Sequence, residues 1–127
     1  MPIPTIATKF KSGNSKPFIT LRERFITFSK TAIEQLEYAP LINMFVMEKE
    51  QKVYFQVCND PHDEDALKFY KERPGKQLLV RVSSKGACNL LIKIARIEKC
   101  GENGVRFYGE YLPEDHAIEI DLSKPVK

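Results

Sequence analysis

A short helix placed directly between strands is the feature that most constrains this chain, and the sequence contains the arrangement twice. The stretch ITFSKTAIEQL, residues 26–36, joins a strand pattern to a helix pattern that Pro40 ends. The stretch ACNLLIKIARI, residues 87–97, repeats the helix pattern later in the chain. A helix of about two turns is marginal in water and must pack on a sheet. We therefore expect an α+β fold.

The first half, residues 18–58, alternates apolar and polar residues as a half-buried strand does. Ile19 and Leu21 are expected to face inward, and a slip at 23–25 predicts a turn or bulge. Thr31 with Glu34 is a capping-box pattern that predicts the helix start. Residues 41–47 and 53–57 then read as a hairpin.

The second half, residues 77–122, repeats this order. A strand is expected over 77–82, then a helix that begins near Asn89 and stops at Gly101. The final hairpin is expected over 105–111 and 117–122. The remaining segments are a basic arm (1–17), an acidic linker (59–76) with a possible short helix over 63–72, and a tail (123–127).

The apolar positions of the two halves register with each other. Ile33 and Leu36 precede Leu91 and Ile94 by 58 residues, and the strand 53–57 precedes the strand 118–122 by 65. One half of about forty residues is too small to bury its own core, and two halves together are not. The pattern predicts two similar β-α-β-β halves around one small barrel-like sheet. The alternative is an undivided α+β domain with a chance repeat of pattern.

Composition favours a globular protein without metal or cofactor. Of 127 residues, 43% are hydrophobic and 29% charged, and no apolar run approaches the ~20 residues that span a bilayer. No signal-peptide core begins the chain, so we expect a cytoplasmic protein with no membrane partner. Cys58, Cys88 and Cys100 form no CxxC pair. A zinc site with Cys58 and His62 is the alternative, but a chain with two histidines supplies few ligands for it.

The segments ITLRERFITFSKTAIEQL and LINMFVMEKEQKVYFQV resemble the opening strands, short helix and closing hairpin of AbrB-like swapped-hairpin regulators, which include the MazE-type antitoxins. The resemblance covers residues 18–58, and 77–122 more loosely. It implies that two copies interlock their strands into one barrel, so this chain would be a monomeric pseudo-dimer or a homodimer. It also implies a non-enzymatic DNA-binding protein, a transcriptional regulator or antitoxin-like protein that binds double-stranded DNA.

The net charge is +3, and residues 1–30 carry six cationic side chains against Glu23 alone. By the resemblance, the side chains expected on DNA are Arg22, Arg24 and Lys30, and more loosely Arg81 and Lys85 in the second half. The arm residues Lys9, Lys11 and Lys16 are expected to add phosphate contacts.

Two other functions stay open. A protein-interaction or accessory domain would use the linker, with Phe69 and Tyr70, and the tail. Catalysis is the weakest hypothesis: Asp115 and His116 are adjacent and point apart, and we predict no catalytic residues. DNA binding predicts that Arg22, Arg24, Arg81 and Lys85 share one face, whereas protein binding predicts an exposed apolar patch. The segment 106–108, Arg-Phe-Tyr, is the one place where bases of a single strand could stack beside a cation.

Overall fold

A computed structural model describes residues 16–71 and 80–126, and this part of the chain contains eight strands and two α-helices. The strands are β1 Phe18–Leu21, β2 Ile26–Phe28, β3 Leu41–Met47, β4 Lys52–Val57, β5 Leu67–Lys68, β6 Val80–Val82, β7 Val105–Leu112 and β8 Ala117–Asp121. The helices are α1 Lys30–Gln35 and α2 Lys85–Ala95, and a 3₁₀ turn spans Pro113–Asp115. No helix in these ranges is long and apolar enough to cross a membrane.

The strands form one antiparallel sheet in the order β5-β3-β4-β8-β7-β1-β2-β6. The sheet curls until its ends approach each other, since Phe28 of β2 packs edge-on against Phe69, which directly follows β5. Their ring centroids are 4.9 Å apart. The predicted α+β class and barrel-like sheet are therefore confirmed, and the sheet is nearly closed.

Strand β7 joins the two parts of the sheet. Its residues 105–108 pair with β1, and its residues 109–112 pair with β8. Gly109 is the residue at which the strand changes partners, and its N–H donates to the carbonyl of Pro17 at 2.8 Å. A Cβ at this position would lie 2.5 Å from Ile120 Cδ1 and 2.7 Å from the Glu119 carbonyl oxygen. The junction therefore has no room for a side chain.

The barrel interior is filled by the alternate residues that the strand pattern predicts. Ile19, Leu21, Val53 and Phe55 are all at most 1% exposed. The two helices add further apolar side chains to the same core: Ala32, Ile33, Ala87, Cys88, Leu91 and Ile94. One continuous core thus contains residues of both halves.

Both helices begin earlier than the sequence pattern predicts. Ser29, not Thr31, caps α1: its Oγ accepts hydrogen bonds from Ala32 N–H at 3.3 Å and from Phe18 N–H at 3.0 Å. Ser84 caps α2 by accepting from Ala87 N–H at 3.2 Å, so Asn89 lies exposed within the helix. Helix α2 ends at Ala95, because the next residue, Arg96, adopts a left-handed backbone conformation. The predicted stop at Gly101 is therefore wrong.

The predicted helix over 63–72 is also wrong for the part that the structure describes. Residues 63–66 form turns, and Leu67 pairs with Ile42 as part of β5. Asp63 stabilises this turn because its carboxylate accepts from Asp65 N–H and Asn43 Nδ2, both at 2.9 Å. These bonds also lower the pKa of Asp63, the Asn43 bond first. Residues 77–79 of the predicted second-half strand lie outside the described ranges.

We predict that Gly109→Ala lowers the free energy of unfolding by about 1–3 kcal/mol, because the added methyl group would overlap Ile120 and the Glu119 carbonyl. Guanidinium denaturation measures this loss. Gly86→Ala is the matched control, since no heavy atom lies within 4 Å of its added Cβ. In helix α2 that variant should be neutral or gain up to ~1 kcal/mol. Equal stability of the two variants would contradict the close approach at Gly109.

Candidate nucleic-acid interface

The tight turn between β1 and β2 defines one end of the barrel. Arg22 N–H donates to the Phe25 carbonyl at 3.1 Å and closes this turn. Because β6 runs antiparallel to β2, Val82 lies beside Ile26 and the chain enters α2 at the same end. Because β7 runs antiparallel to β1, the loop before Val105 also comes to this end. The β6–α2 junction and the loop before β7 therefore both lie beside the turn.

Phe25 belongs to this turn, and two arginines lie near its ring. The guanidinium Cζ of Arg81 is 4.1 Å from the Phe25 ring centroid, and that of Arg22 is 5.4 Å away. Arg22 also donates from Nη1 to the Glu102 carbonyl at 2.6 Å, which ties the loop before β7 to the turn. Among the described residues its Nε finds no hydrogen-bond partner. Cation–π contacts of this kind position both guanidinium groups at one surface.

Two shallow grooves flank the turn. Arg24 and Lys85 line one groove of about 320 Å³, and Arg22, Arg24 and Lys99 line a second of about 470 Å³. We refer to the five cationic side chains as the basic end: Arg22, Arg24, Arg81, Lys85 and Lys99. Three carboxylates lie among them: Glu23, Glu98 and Glu102. The cations outnumber the carboxylates, so the basic end carries a small positive excess.

The structure thus brings together four of the residues predicted from the sequence, Arg22, Arg24, Arg81 and Lys85. Lys30 lies at the opposite end of β2, where Ser29 N–H bonds to the Phe18 carbonyl. Lys16 lines a different groove, of about 520 Å³, which also contains Glu110, Glu119 and Asp121. Lys9 and Lys11 lie outside the described residues.

Lys99 belongs to the basic end, and sequence reasoning missed it. The sequence places it far from the β1–β2 turn, and only the pairing of β1 with β7 brings the two together. The sequence itself offers only one indication of its role, a position in the loop between a helix and a strand. Such positions are too common to single out one lysine.

A row of four residues crosses the face of β7, β1, β2 and β6 that points away from the core. Cross-strand pairing joins Arg106 to Thr20, Thr20 to Thr27, and Thr27 to Arg81. We call this set the arginine row. Arg106 lies over the Phe18 ring, with its Cζ 4.2 Å from the centroid.

The exposed ring beside the arginine row is Tyr108. It packs edge-on against Phe18, with ring centroids 5.7 Å apart, and is 44% exposed. Phe107, between Arg106 and Tyr108 in the sequence, is buried in the core. Of the segment 106–108, the outward-facing members are thus the cation and the tyrosine.

An apolar groove of about 340 Å³ lies on the outer face of β3, β4, β7 and β8. Its lining residues are Phe45, Tyr54, Gln56, Leu112, Asp115 and Ala117. Phe45 is 54% exposed. Beside the groove, Lys52 and Glu119 form an ion pair at 3.2 Å. The bond to Glu119 raises the pKa of Lys52, so this lysine stays protonated and is unsuited to act as a base.

The linker residues are placed differently from the prediction. Phe69 is buried against Phe28, so its predicted role as an exposed partner contact is wrong. Tyr70 packs edge-on against Tyr38, with ring centroids 5.2 Å apart. The Cys58 thiol contacts the Asp60 carbonyl and the Asp63 carboxylate, while His62 is exposed. Across residues 16–71 and 80–126, no three His, Cys, Asp or Glu side chains are grouped to hold a metal ion.

The contact of His116 with Glu37 and the thiols of Cys88 and Cys100 have structural roles. His116 Nδ1 lies 2.7 Å from Glu37 Oε2 and links the end of α1 to the β7–β8 turn on an exposed surface. Burial raises the pKa of the Cys88 and Cys100 thiols, so both stay protonated near neutral pH. A protonated thiol is a poor nucleophile.

Comparison of the chain with protein-family models, with curated proteins and with solved structures found no match.

We predict that Phe25→Leu lowers the free energy of unfolding by about 0.5–2 kcal/mol, because leucine fills part of the space but offers no ring face to Arg22 and Arg81. Urea denaturation at low and high salt measures the loss. Phe45→Leu is the matched control: its ring is exposed, and no cation lies over it among the described side chains. An equal loss in the two variants would contradict the cation–π arrangement.

Proposed function

We propose that this protein binds DNA without catalysing a reaction, as a regulator of the kind that the swapped-hairpin resemblance implies. The observation that carries the proposal is the basic end, where Arg24 and Lys85 line one groove. Arg22 and Arg81 lie against one phenylalanine beside it. These four side chains come from two distant parts of the chain, and the proposal requires that they form one ligand-binding surface.

The expected contacts are with phosphate groups. Arg24 and Lys85 have exposed side chains that reach solvent, and the N-terminus of α2 adds a partial positive charge beside them. Arg22 is already bonded to the Glu102 carbonyl, so its main contribution is to hold the loop in place. Because carboxylates lie among the cations, we expect weak binding that depends strongly on salt.

We predict that Arg24→Gln/Lys85→Gln weakens binding to a random DNA duplex, because it removes two cations that face phosphate groups while leaving the Phe25 arrangement intact. The slope of log K against log salt concentration should fall in magnitude by about 1 for each cation removed from a phosphate group. Fluorescence anisotropy at several salt concentrations measures both quantities.

Lys16→Gln/Lys30→Gln is the matched control for that experiment. It removes the same charge from side chains that lie away from the basic end. It should leave the affinity and the slope nearly unchanged. Equal weakening by both double variants would show that net charge alone attracts DNA, and absence of binding by the unaltered protein at low salt would overturn the proposal.

We also propose that the two halves are copies related by a pseudo-two-fold axis. Strands β4 and β8, which the sequence aligns at an offset of 65, are antiparallel neighbours. Val53 pairs with Ile120 and Phe55 pairs with Ile118, which is the exchange that a two-fold axis between equivalent strands requires. Strands β2 and β6 are likewise antiparallel neighbours, and each precedes a serine-capped helix.

Protein binding is the second candidate function, and the exposed apolar groove around Phe45 favours it. A chain that already contains both halves has no need of a second copy to complete its barrel. We therefore predict a monomer of 14.6 kDa at micromolar concentration, measured by sedimentation equilibrium. A dimer that Phe45→Lys dissociates would instead favour interaction through the groove, with Tyr38→Lys as a control on another exposed ring.

A further inference from the structure

The arginine row has features that a duplex-binding surface does not need. Arg106 and Arg81 stand at its ends, and each lies over a phenyl ring, Phe18 or Phe25. Both arginines are also exposed, so their guanidinium groups remain accessible to a further flat group. Arginine planes and aromatic rings are the groups on which unpaired bases stack.

The two arginines, and not the threonines between them, form the accessible part of the row. Thr20 is 8% exposed and Thr27 is half-buried, while Arg81 and Arg106 are exposed. Three inter-strand spacings separate Arg106 from Arg81, a distance of about 14 Å. That length accommodates a few nucleotides.

Tyr108 extends the row at one end, and the basic end extends it at the other. The Tyr108 ring is exposed beside Arg106 and Phe18. The groove beside Tyr108 is lined by three carboxylates (Glu110, Glu119 and Asp121) and three lysines (Lys16, Lys52 and Lys124), so, unlike the basic end, it carries no positive excess. At the other end, Arg81 shares Phe25 with Arg22, so the row continues into the cationic grooves.

We infer that the preferred ligand is single-stranded nucleic acid, with bases stacked on Tyr108 and the ring-backed arginines and with the backbone leading to the basic end. This inference rests on the proposed nucleic-acid function and names the form of nucleic acid that the surface takes. In a duplex the base faces are already stacked on one another, so Tyr108 and Arg106 would have no base face to contact.

The test compares fluorescently labelled dT15, rU15 and a 15-base-pair duplex in anisotropy titrations at fixed salt. The unaltered protein should bind one or both single strands at least severalfold more tightly than the duplex, and the two single strands distinguish DNA from RNA. Tyr108→Leu should weaken single-strand binding roughly tenfold and leave duplex binding unchanged. Arg106→Lys keeps the charge, loses the planar group, and should act in the same direction.

Tyr111→Leu is the matched control, because this tyrosine lies on the same strand and is 37% exposed but lies off the arginine row. It should leave single-strand affinity unchanged. The chain has no tryptophan, so tyrosine emission gives a second readout. Stacked bases should quench it in the unaltered protein and in Tyr111→Leu, and quench it less in Tyr108→Leu.

The outcomes separate this inference from the function on which it rests. Duplex binding that equals or exceeds single-strand binding, with weakening only in Arg24→Gln/Lys85→Gln, would overturn the inference and leave the proposed function standing. Equal effects of Tyr108→Leu and Tyr111→Leu would also overturn it. Absence of binding to all three ligands at low salt would overturn both.

Discussion

The close approach of β7 to β8 at Gly109 is the contact on which the rest of the structure depends. Strand β7 pairs through its first four residues with β1 and through its last four with β8, so it joins one piece of the sheet, β5-β3-β4-β8, to another, β1-β2-β6. The missing side chain at Gly109 lets the backbones meet at that junction. Without this strand, β1 and β8 would each expose an unpaired edge, and the core that both pieces share would open to water.

The same pairing creates the candidate site. No single segment supplies the basic end: the β1–β2 turn provides Arg22 and Arg24, and the second half provides Arg81, Lys85 and Lys99. Antiparallel register places the ends of β1, β2, β6 and β7 together, and Phe25 fixes two of the guanidinium groups there. The surface is therefore a property of the assembled barrel and has no counterpart in either half alone.

Much of the fold could be predicted because strands and buried residues follow local alternation. Residues 41–47 form β3 as the pattern predicts, and Val53 and Phe55 face the core. The helix starts were harder to predict, because several side-chain hydroxyls near each start could cap the helix. Ser29 caps α1 because its Oγ also accepts a hydrogen bond from the N–H of Phe18, eleven residues away in the sequence. The segment 63–71 looks helical locally, but Leu67 gains a strand partner in β3 and Phe69 gains a ring partner in Phe28. For the site, the family resemblance leads us to expect Arg22, Arg24, Arg81 and Lys85, while Lys99 and the arginine row depend on pairings between distant strands.

The order of the strands has a consequence for how the chain reaches this structure. Strand β1 pairs with β7, and β4 pairs with β8. Each of these two first-half strands therefore meets its partner only after about sixty to ninety further residues have been synthesised. During synthesis the first half would leave the ribosome with open edges and an incomplete core. Strand pairings between residues so far apart in the sequence also slow folding, because the intervening chain must close into a loop before each pairing can form. Folding should therefore be a single late event that waits for the last hairpin, and a chain cut short before β7 should remain unfolded.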